Sequence, residues 1–401
     1  MIAGRPRSPS APALAALLLI SLATALHGCG DSSSSGASAQ RWPDPDWDVV
    51  SPADEGMDPA VLEGARSYAF ADGRNTQGVV VVKDGAIVAE WYAPDHGAAS
   101  LATSWSAAKS FASTLIGIAI DRGDLAGVDV PLSDFYPDWR RDARDAIALR
   151  DLMEMRSGLA WNETRDVAAF HISNGDQLAA SEARPAARPP GAAFNYSSAD
   201  SMLLSGVIEQ ATGRTAGDFA QEVLFGPIGM RADWWIDGGG HTLTYCCIDT
   251  TTRDFARFGL LFAREGEWNG HRIVSREWVD EATTPPADLP FYALQWWVDL
   301  QGSLIVNGTA VREFTARGLA DQNVYVFPEL DLVVVRNGIY NRIGTEPVRT
   351  GGNYLTTLAP ASWDDAAFLA PILRAIDPTA TTSALSTAPP EAVSALSATP
   401  F

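Results

Sequence analysis

Lysine is almost absent from this chain of 401 residues: the 29 basic residues include only Lys83 and Lys109, and all the others are arginines. Basic residues are scarce overall, since 49 acidic residues give the chain a formal net charge of −20. Nucleic-acid binding requires a basic face that neutralises phosphates. The composition therefore excludes nucleic acid as an expected partner, while 46% hydrophobic residues indicate a globular protein with a sizeable core.

Cysteine is also scarce, and three residues are too few for a disulfide framework. Cys246 and Cys247 are adjacent, and because a disulfide between neighbours is strained, we expect two small buried thiols there. Oxidation of the pair in an exported protein is the alternative. The chain has no Cys-x-x-Cys and its histidines are scattered, so no spacing is typical of a zinc site. We expect neither a metal nor a cofactor.

The N-terminus has the pattern of a targeting segment. Two arginines precede an apolar run over residues 11–26, which is too short and too early for a convincing membrane span. The run ends in "LHGCG", which resembles a bacterial lipobox at residues 26–29. The resemblance implies a signal peptide over residues 1–28 and lipid attachment at Cys29. It predicts an exported lipoprotein anchored to a membrane, facing the periplasm or the cell exterior; an ordinary secretory signal is the alternative.

Composition divides the rest of the chain. Residues 29–48 begin with a serine-rich polar stretch and are predicted to be a flexible tether. Residues 49–376 carry the regular hydrophobic patterns and are predicted to form one large domain, with a helical lobe at about 125–285. Residues 377–401 are rich in Thr, Ser, Ala and Pro and are predicted to be a disordered tail.

The order of the predicted elements indicates the fold class. Residues 78–92 have the pattern of a β-hairpin that turns at Asp84-Gly85, and further strands are predicted between residues 294 and 338. Mostly helical patterns lie between these two groups. We therefore predict an α/β (α+β) fold, in which the first hairpin and the last strands form one antiparallel sheet flanked by helices. The helical block would be an inserted lobe, with a cleft between the lobes as the site.

The rare lysine at position 109 follows Ser106 in the segment "TSWSAAKSF", at the start of a helix predicted over residues 106–123. Residues three apart share a helix face, and a helix N-terminus offers free N–H groups and a positive dipole. A desolvated lysine can lose its proton and accept one from a serine, whereas arginine cannot. The pair therefore indicates a serine nucleophile with a lysine base, although a plain N-cap serine is the simpler alternative.

Ser-x-x-Lys at the start of a helix behind a hairpin resembles the serine β-lactamase and penicillin-binding protein superfamily. The chain is most similar to its class C-type serine hydrolases, which include family VIII carboxylesterases and 6-aminohexanoate-dimer hydrolases. The resemblance covers roughly residues 50–376 and implies a β-lactamase/transpeptidase-like fold. It also implies catalysis through an acyl-enzyme on Ser106 without a metal.

The second motif of these hydrolases is a tyrosine followed, two residues later, by Asn or Ser. "PPGAAFNYSSADSMLL" supplies Tyr196 and Ser198 at the matching place. The resemblance implies that Tyr196 and Lys109 move the proton of Ser106. Either Tyr196, as a tyrosinate stabilised by Lys109, is the base, or Lys109 is the base and Tyr196 the relay, and the pattern does not distinguish the two.

The third motif is usually Lys-Thr-Gly or His-Thr-Gly on a strand that lines the cleft. Here the match is Ala316, Arg317 and Gly318. Gly318 fits because backbone must approach the substrate closely, and the resemblance implies that the Leu319 N–H completes an oxyanion hole with that of Ser106. Ala316 offers no charge for a β-lactam or peptide carboxylate. Arg317 offers a cation, unless its side chain points to the other face of the strand.

The sequence thus predicts a serine hydrolase that cleaves ester or amide bonds of a small molecule through an acyl-enzyme. A carboxylesterase or small-amide hydrolase fits the departures from the motifs best. The alternative on the same fold is a β-lactamase or D-amino-acid peptidase. A second alternative is a lipoprotein that uses the scaffold for binding without catalysis.

Overall fold

The computed structural model describes residues 40–172, 175–299, 302, 304–340 and 357–382. The strands are β1 (Thr76–Lys83), β2 (Ala86–Tyr92), β3 (Leu101–Thr103), β4 (Asp233–Trp234), β5 (Ile248–Thr251), β6 (Glu267–Trp268), β7 (His271–Arg272), β8 (Trp297–Val298), β9 (Leu304–Val306), β10 (Thr309–Val311), β11 (Phe314–Gly318), β12 (Gln322–Phe327), β13 (Leu332–Gly338) and β14 (Thr381–Thr382).

The α-helices are α1 (Pro59–Ala69), α2 (Ala108–Asp121), α3 (Leu149–Met153), α4 (Glu163–Ile172), α5 (Gln177–Glu182), α6 (Ser198–Thr212), α7 (Ala216–Ala220), α8 (Thr252–Ala263), α9 (Arg276–Thr283) and α10 (Asp365–Ile376). A π-helical turn, Gln221–Phe225, continues α7. Among the described residues, no helix combines the length and the apolar character that a membrane crossing requires.

The main sheet confirms the predicted topology. Its strand order is β2-β1-β13-β12-β11-β8, and its neighbouring strands are antiparallel. The first hairpin turns at Asp84 and Gly85, whose φ angles of 51° and 77° suit the tight two-residue turn predicted there. Val80 of β1 lies opposite Val335 of β13, so the start and the end of the domain meet in one sheet.

The two faces of this sheet carry different layers. Because side chains alternate along a strand, Val80 and Val82 pack with α2 and α8, whereas Val79 and Val81 pack with α1 and α10. The layer that contains α2 continues into the helical lobe, and twelve of its 14 residues are buried. The helix that carries Lys109 is therefore the centre of the larger core.

Both predicted domain boundaries need correction. Residues 40–48, assigned to the tether, pack on the domain: the Trp47 side chain is 7% exposed and Arg257 donates to the carbonyl oxygens of Pro43 and Pro45. Residues 377–382, assigned to the tail, end in β14, which pairs with β9. The polar composition of these segments does not indicate such contacts, because single side chains and backbone groups make them. The signal peptide, Cys29 and residues 383–401 lie outside the described residues.

Candidate active site

Ser106 lies in the 3-10 turn Trp105–Ala107, directly before α2. The preceding residue, Trp105, has a φ of 45°. This left-handed conformation is costly for a bulky residue and is found mostly where surrounding structure enforces it for a functional reason. The turn leaves Ser106 partly exposed while Trp105 is buried.

The strained turn is held from three sides. Trp105 Nε1 donates to Thr357 Oγ1 at 2.9 Å, and the Trp105 carbonyl accepts from the Cys247 N–H at 3.3 Å. Ser104 and Ile248 exchange two further bonds, Ser104 N to Ile248 O at 2.9 Å and Ile248 N to Ser104 Oγ at 2.8 Å. These contacts extend the pairing of β3 with β5 and fix the backbone that presents Ser106.

Lys109 lies one turn after Ser106 and is almost completely buried, with 2% exposure. Its Nζ donates to Ser106 Oγ at 3.0 Å, to Ser198 Oγ at 3.3 Å and to the Tyr245 carbonyl at 3.0 Å. The predicted serine-lysine contact is therefore present in the structure. Loss of solvation lowers the pKa of Lys109 to about 8, against a smaller opposing effect of the Glu163 charge.

Tyr196 lies beside the same amine. Lys109 Nζ is 4.8 Å from the centre of the Tyr196 ring, and that ring stacks on Trp297 with centroids 5.5 Å apart. Burial raises the pKa of Tyr196 well above its ordinary value, while the Ser106 hydroxyl acts in the lowering direction. The Tyr196 hydroxyl and Ser106 nevertheless fall short of good hydrogen-bond geometry, and the tyrosine hydroxyl has no other partner among the described residues.

Ser198, the other residue of the predicted tyrosine motif, links Lys109 to a carboxylate that sequence reasoning missed. Glu163 Oε1 accepts from Ser198 Oγ at 2.6 Å, and its Oε2 accepts from the Ser198 N–H at 2.9 Å and from Trp161 Nε1. Glu163 is the last residue of the segment "SGLAWNE". Its contact with Ser198 spans 35 residues and left no spacing signal.

Strand β11 brings the third motif close to Ser106. A Cβ atom at Gly318 would lie 2.2 Å from the Ser104 carbonyl oxygen and 3.0 Å from the backbone nitrogen of Ser106. Only glycine permits this approach to the Ser104 and Ser106 backbone. The motif predicted a glycine for a different reason, the close approach of backbone to a substrate, and that role stays a prediction. Leu319 follows directly and packs partly buried against the α2 layer.

The structure contradicts the prediction that Arg317 can supply a cation to this cleft. Ala316 belongs to the α2 layer, and its neighbour Arg317 points to the opposite face, as alternation along a strand requires. There Arg317 is 6% exposed and forms ion pairs with Asp321 at 3.3 Å and with Asp365 at the start of α10.

The adjacent cysteines also depart from expectation. The structure joins Cys246 and Cys247 in a disulfide, where two thiols were expected, although the predicted burial is confirmed by exposures of 1% and 0%. The backbone turns sharply here, with a φ of 77° at Cys247. The same loop supplies the Tyr245 carbonyl to Lys109 and the Cys247 N–H to Trp105, so the cysteine pair adjoins the candidate site.

A serine, a lysine and a tyrosine thus meet at the start of a buried helix, beside a strand whose glycine touches the serine backbone. The family model described as Beta-lactamase matches residues 67–357. The chain belongs to the Beta-lactamase family. The match covers the whole described site and shows a fold of the serine-hydrolase, β-lactamase/transpeptidase type, as the motifs predicted.

Curated proteins resemble the chain over part of its length. A D-aminopeptidase from Cereibacter sphaeroides is 31% identical over 120 residues, which are 27% of this chain and 22% of that protein. The chain therefore spans less than a quarter of the length of the curated relatives it matches.

Solved structures extend the likeness of the fold. A proposed 6-aminohexanoate-dimer hydrolase from Bacillus anthracis has a TM-score of 0.59 at 19% identity, covering 75% of this chain and 84% of its own. A D-stereospecific amidohydrolase from Streptomyces has a TM-score of 0.57 at 18% identity, covering 80% and 99%. At this identity, both show a shared fold alone. Within the described residues, no cluster of side chains suits a metal ion.

Proposed function

We propose that this protein is a serine hydrolase that cleaves a small ester or amide through an acyl-enzyme on Ser106. The observation that carries the proposal is the contact of Lys109 Nζ with Ser106 Oγ at 3.0 Å, by a lysine whose pKa burial lowers to about 8. A neutral amine within hydrogen-bond reach can take the serine proton as the hydroxyl attacks a carbonyl carbon.

The directions of the two pKa shifts favour Lys109 as the base. Burial lowers the pKa of the amine and raises that of the Tyr196 hydroxyl, so in both residues it favours the neutral form. A neutral Tyr196 retains a hydrogen to donate. We therefore assign Lys109 to proton removal from Ser106 and Tyr196 to the relay that protonates the leaving group.

The negative charge that develops on the substrate oxygen needs donors close to Ser106. We assign this role to the backbone N–H groups of Ser106 and Leu319, supported by the close approach of Gly318 to the Ser106 nitrogen. Water then attacks the acyl-enzyme carbonyl, the acid leaves, and Ser106 regains its proton.

An amide is the substrate class that the similar proteins favour, since a D-aminopeptidase and a D-stereospecific amidohydrolase are among them. The site itself favours a substrate without a carboxylate at the third motif, because Ala316 is uncharged and Arg317 faces away. Small linear amides meet both conditions, and short esters meet the second. A D-amino-acid peptide is the second candidate, favoured by the D-aminopeptidase relative.

We also propose export and lipid anchoring through Cys29, supported by the lipobox-like residues 26–29. Palmitate labelling of cells that express the full chain should mark the protein and should be lost in Cys29→Ser. Labelling that persists in this variant would reject the anchor.

The catalytic proposal is tested by a substrate panel on the wild type and on Ser106→Ala. The panel contains p-nitrophenyl butyrate, a linear aminohexanoate dimer, a D-alanyl peptide and a cephalosporin. We expect turnover of at least one ester or linear amide, with a loss of about 10⁴-fold or more in Ser106→Ala. Ser100→Ala, on the loop before β3, serves as the control and should keep full activity.

A fluorophosphonate probe supplies a second measurement that does not depend on the substrate. Mass analysis of the labelled protein should place one adduct on Ser106. Full activity of Ser106→Ala, or absence of both an adduct and any turnover in the wild type, would overturn the proposal and favour a binding function.

A further inference from the structure

The environment of Lys109 raises a question of direction. A neutral amine has two hydrogens and one lone pair, and only the lone pair can take a proton. Lys109 Nζ has three hydrogen-bond neighbours, Ser106 Oγ, Ser198 Oγ and the Tyr245 carbonyl. For Lys109 to act as a base, the lone pair must point to Ser106 and not to either of the others.

The backbone carbonyl of Tyr245 cannot attract the lone pair, because a carbonyl oxygen only accepts hydrogen bonds. Ser198 is different, since a hydroxyl can donate or accept. If the Ser198 hydrogen pointed at Lys109, it would occupy the lone pair and compete with Ser106. The direction of this one hydrogen therefore decides whether the base is available.

Glu163 fixes that direction. Its Oε1 lies 2.6 Å from Ser198 Oγ, which is a short bond typical of a hydroxyl that donates to a carboxylate. A carboxylate is an acceptor only, so the Ser198 hydrogen has to lie between these two oxygens. Ser198 then faces Lys109 with its lone pairs and can only accept from the amine.

We propose that Glu163 is a positioning residue that, through Ser198, directs the lone pair of Lys109 at the Ser106 hydroxyl. With Ser198 and Tyr245 both restricted to accepting, the two hydrogens of the neutral amine are committed to them, and the remaining position of the amine faces Ser106. The inference rests on the proposed function, because it concerns how the base is aimed.

An amide cannot replace this carboxylate, although it has the same shape. Glu163 Oε2 accepts from two donors, the Ser198 N–H and Trp161 Nε1. A glutamine would turn its oxygen to these two donors and so place its NH₂ group against Ser198 Oγ. The amide would then donate to Ser198, free the serine hydrogen from its acceptor and let it turn to Lys109. The isosteric change to glutamine therefore reverses the direction of the hydrogen bonds that run from residue 163 through Ser198 to Lys109.

The experiment is a double-mutant cycle of Glu163→Gln and Ser198→Ala in the full chain, followed by kcat, KM and the rate of fluorophosphonate labelling. Glu163→Gln should lower kcat and the labelling rate by about tenfold or more, while KM stays within about twofold of the wild-type value. The change misdirects the lone pair of Lys109 but leaves substrate binding intact. In the Ser198→Ala background, where no hydroxyl can turn, the same change should cost less than about threefold.

Two further variants separate positioning from folding. Glu163→Asp keeps an acceptor-only carboxylate and should retain more activity than Glu163→Gln, although it changes the side-chain length. Glu209→Gln, at a half-exposed carboxylate on α6, is the matched control and should behave as the wild type in both assays. Melting temperatures of all variants show whether each is folded at the assay temperature.

The outcomes decide the inference separately from the proposed function. Wild-type kinetics of Glu163→Gln, an equal loss in both backgrounds of the cycle, or an Asp variant less active than the Gln variant would each overturn it. These results would leave Ser106→Ala inactive and the hydrolase proposal intact. Full activity of Ser106→Ala would instead overturn the hydrolase proposal itself.

Discussion

Two buried basic side chains, Arg317 and Lys109, lie on opposite faces of the main sheet, and their pKa values are shifted in opposite directions. Arg317 is surrounded by carboxylates, with Asp321 and Asp365 as ion-pair partners, and their charges raise its pKa although burial acts against them. Among the described residues, Lys109 Nζ donates to three oxygens of uncharged groups, and burial lowers the pKa of Lys109 to about 8. The carboxylates favour the charged form of Arg317, whereas burial favours the neutral form of Lys109.

The difference shows how burial can serve stability or chemistry. A buried charge is tolerated when carboxylates and hydrogen bonds compensate for its lost hydration. Where full compensation is withheld, the group becomes neutral more readily and can act as a base. Arg317 serves the first purpose, and we propose that Lys109, one of the two lysines of the chain, serves the second, because only lysine can lose its proton near neutral pH.

The largest expected effect comes from making the two cations alike. Lys109→Arg keeps a positive charge at the site but removes the group that can become neutral, so kcat should fall by about 10⁴-fold. The measurement is kcat on the best substrate of the panel. The control is Lys83→Arg, at the only other lysine, which lies at the end of β1 and should keep full activity.

An active Lys109→Arg enzyme would show that the base is another group, with Tyr196 as the first candidate. A loss of activity in Lys83→Arg would show that lysine-to-arginine changes disturb the fold in general. Either result would break the contrast between the two buried cations.

The next effect is on stability. Arg317→Met leaves Asp365 and Asp321 buried beside an apolar side chain, so the free energy of unfolding should fall by about 3–5 kcal/mol. Urea unfolding measures this change. Arg312→Met is the matched control, because the Arg312–Glu329 ion pair is 46% and 36% exposed and should contribute less than about 1 kcal/mol.

While Arg317→Met stays folded, its KM and kcat should remain close to those of the wild type, because the side chain points away from the cleft. Unchanged stability would contradict the structural role of the ion pairs. A selective rise in KM would return Arg317 to the substrate site.

The smallest effect is a pH dependence. If the free enzyme requires neutral Lys109, kcat/KM should rise about tenfold per pH unit below its pKa and level off above about 8. The pH profile of kcat/KM between about pH 6 and about pH 10 measures this. A profile that is flat through pH 8 would contradict the assignment of Lys109 as the base.

The same shift predicts the sign of a stability change. The unfolded chain binds a proton at Lys109 up to its ordinary pKa of 10.5, whereas the folded chain releases it near 8. The unfolded state therefore binds more protons between these values, and stability rises with pH there. Lys109→Met lacks this contribution. The free energy of unfolding of the variant minus that of the wild type should therefore fall from about pH 8 to about pH 10.5. A constant difference between the two would contradict a lowered lysine pKa.

Much of the fold could be predicted because local pattern and long-range pairing agree. The apolar run of β1 and the turn at Asp84-Gly85 predicted a hairpin, and similar apolar runs predicted the late strands, which led to the observed sheet. The domain boundaries were predicted less well. Trp47 and β14 lie in segments of polar composition, and their contacts depend on distant partners that composition does not record.

For the site, the sequence by itself determined the pairs that are close along the chain. Ser106 and Lys109 share a helical turn, so local geometry made this pair visible. Gly318 was identified through the resemblance of its motif. Only the tertiary structure decided that Arg317 faces away, that the two cysteines join and that Glu163 reaches Ser198. These contacts join segments distant in sequence or depend on backbone direction, and such distances become defined only when the chain is packed.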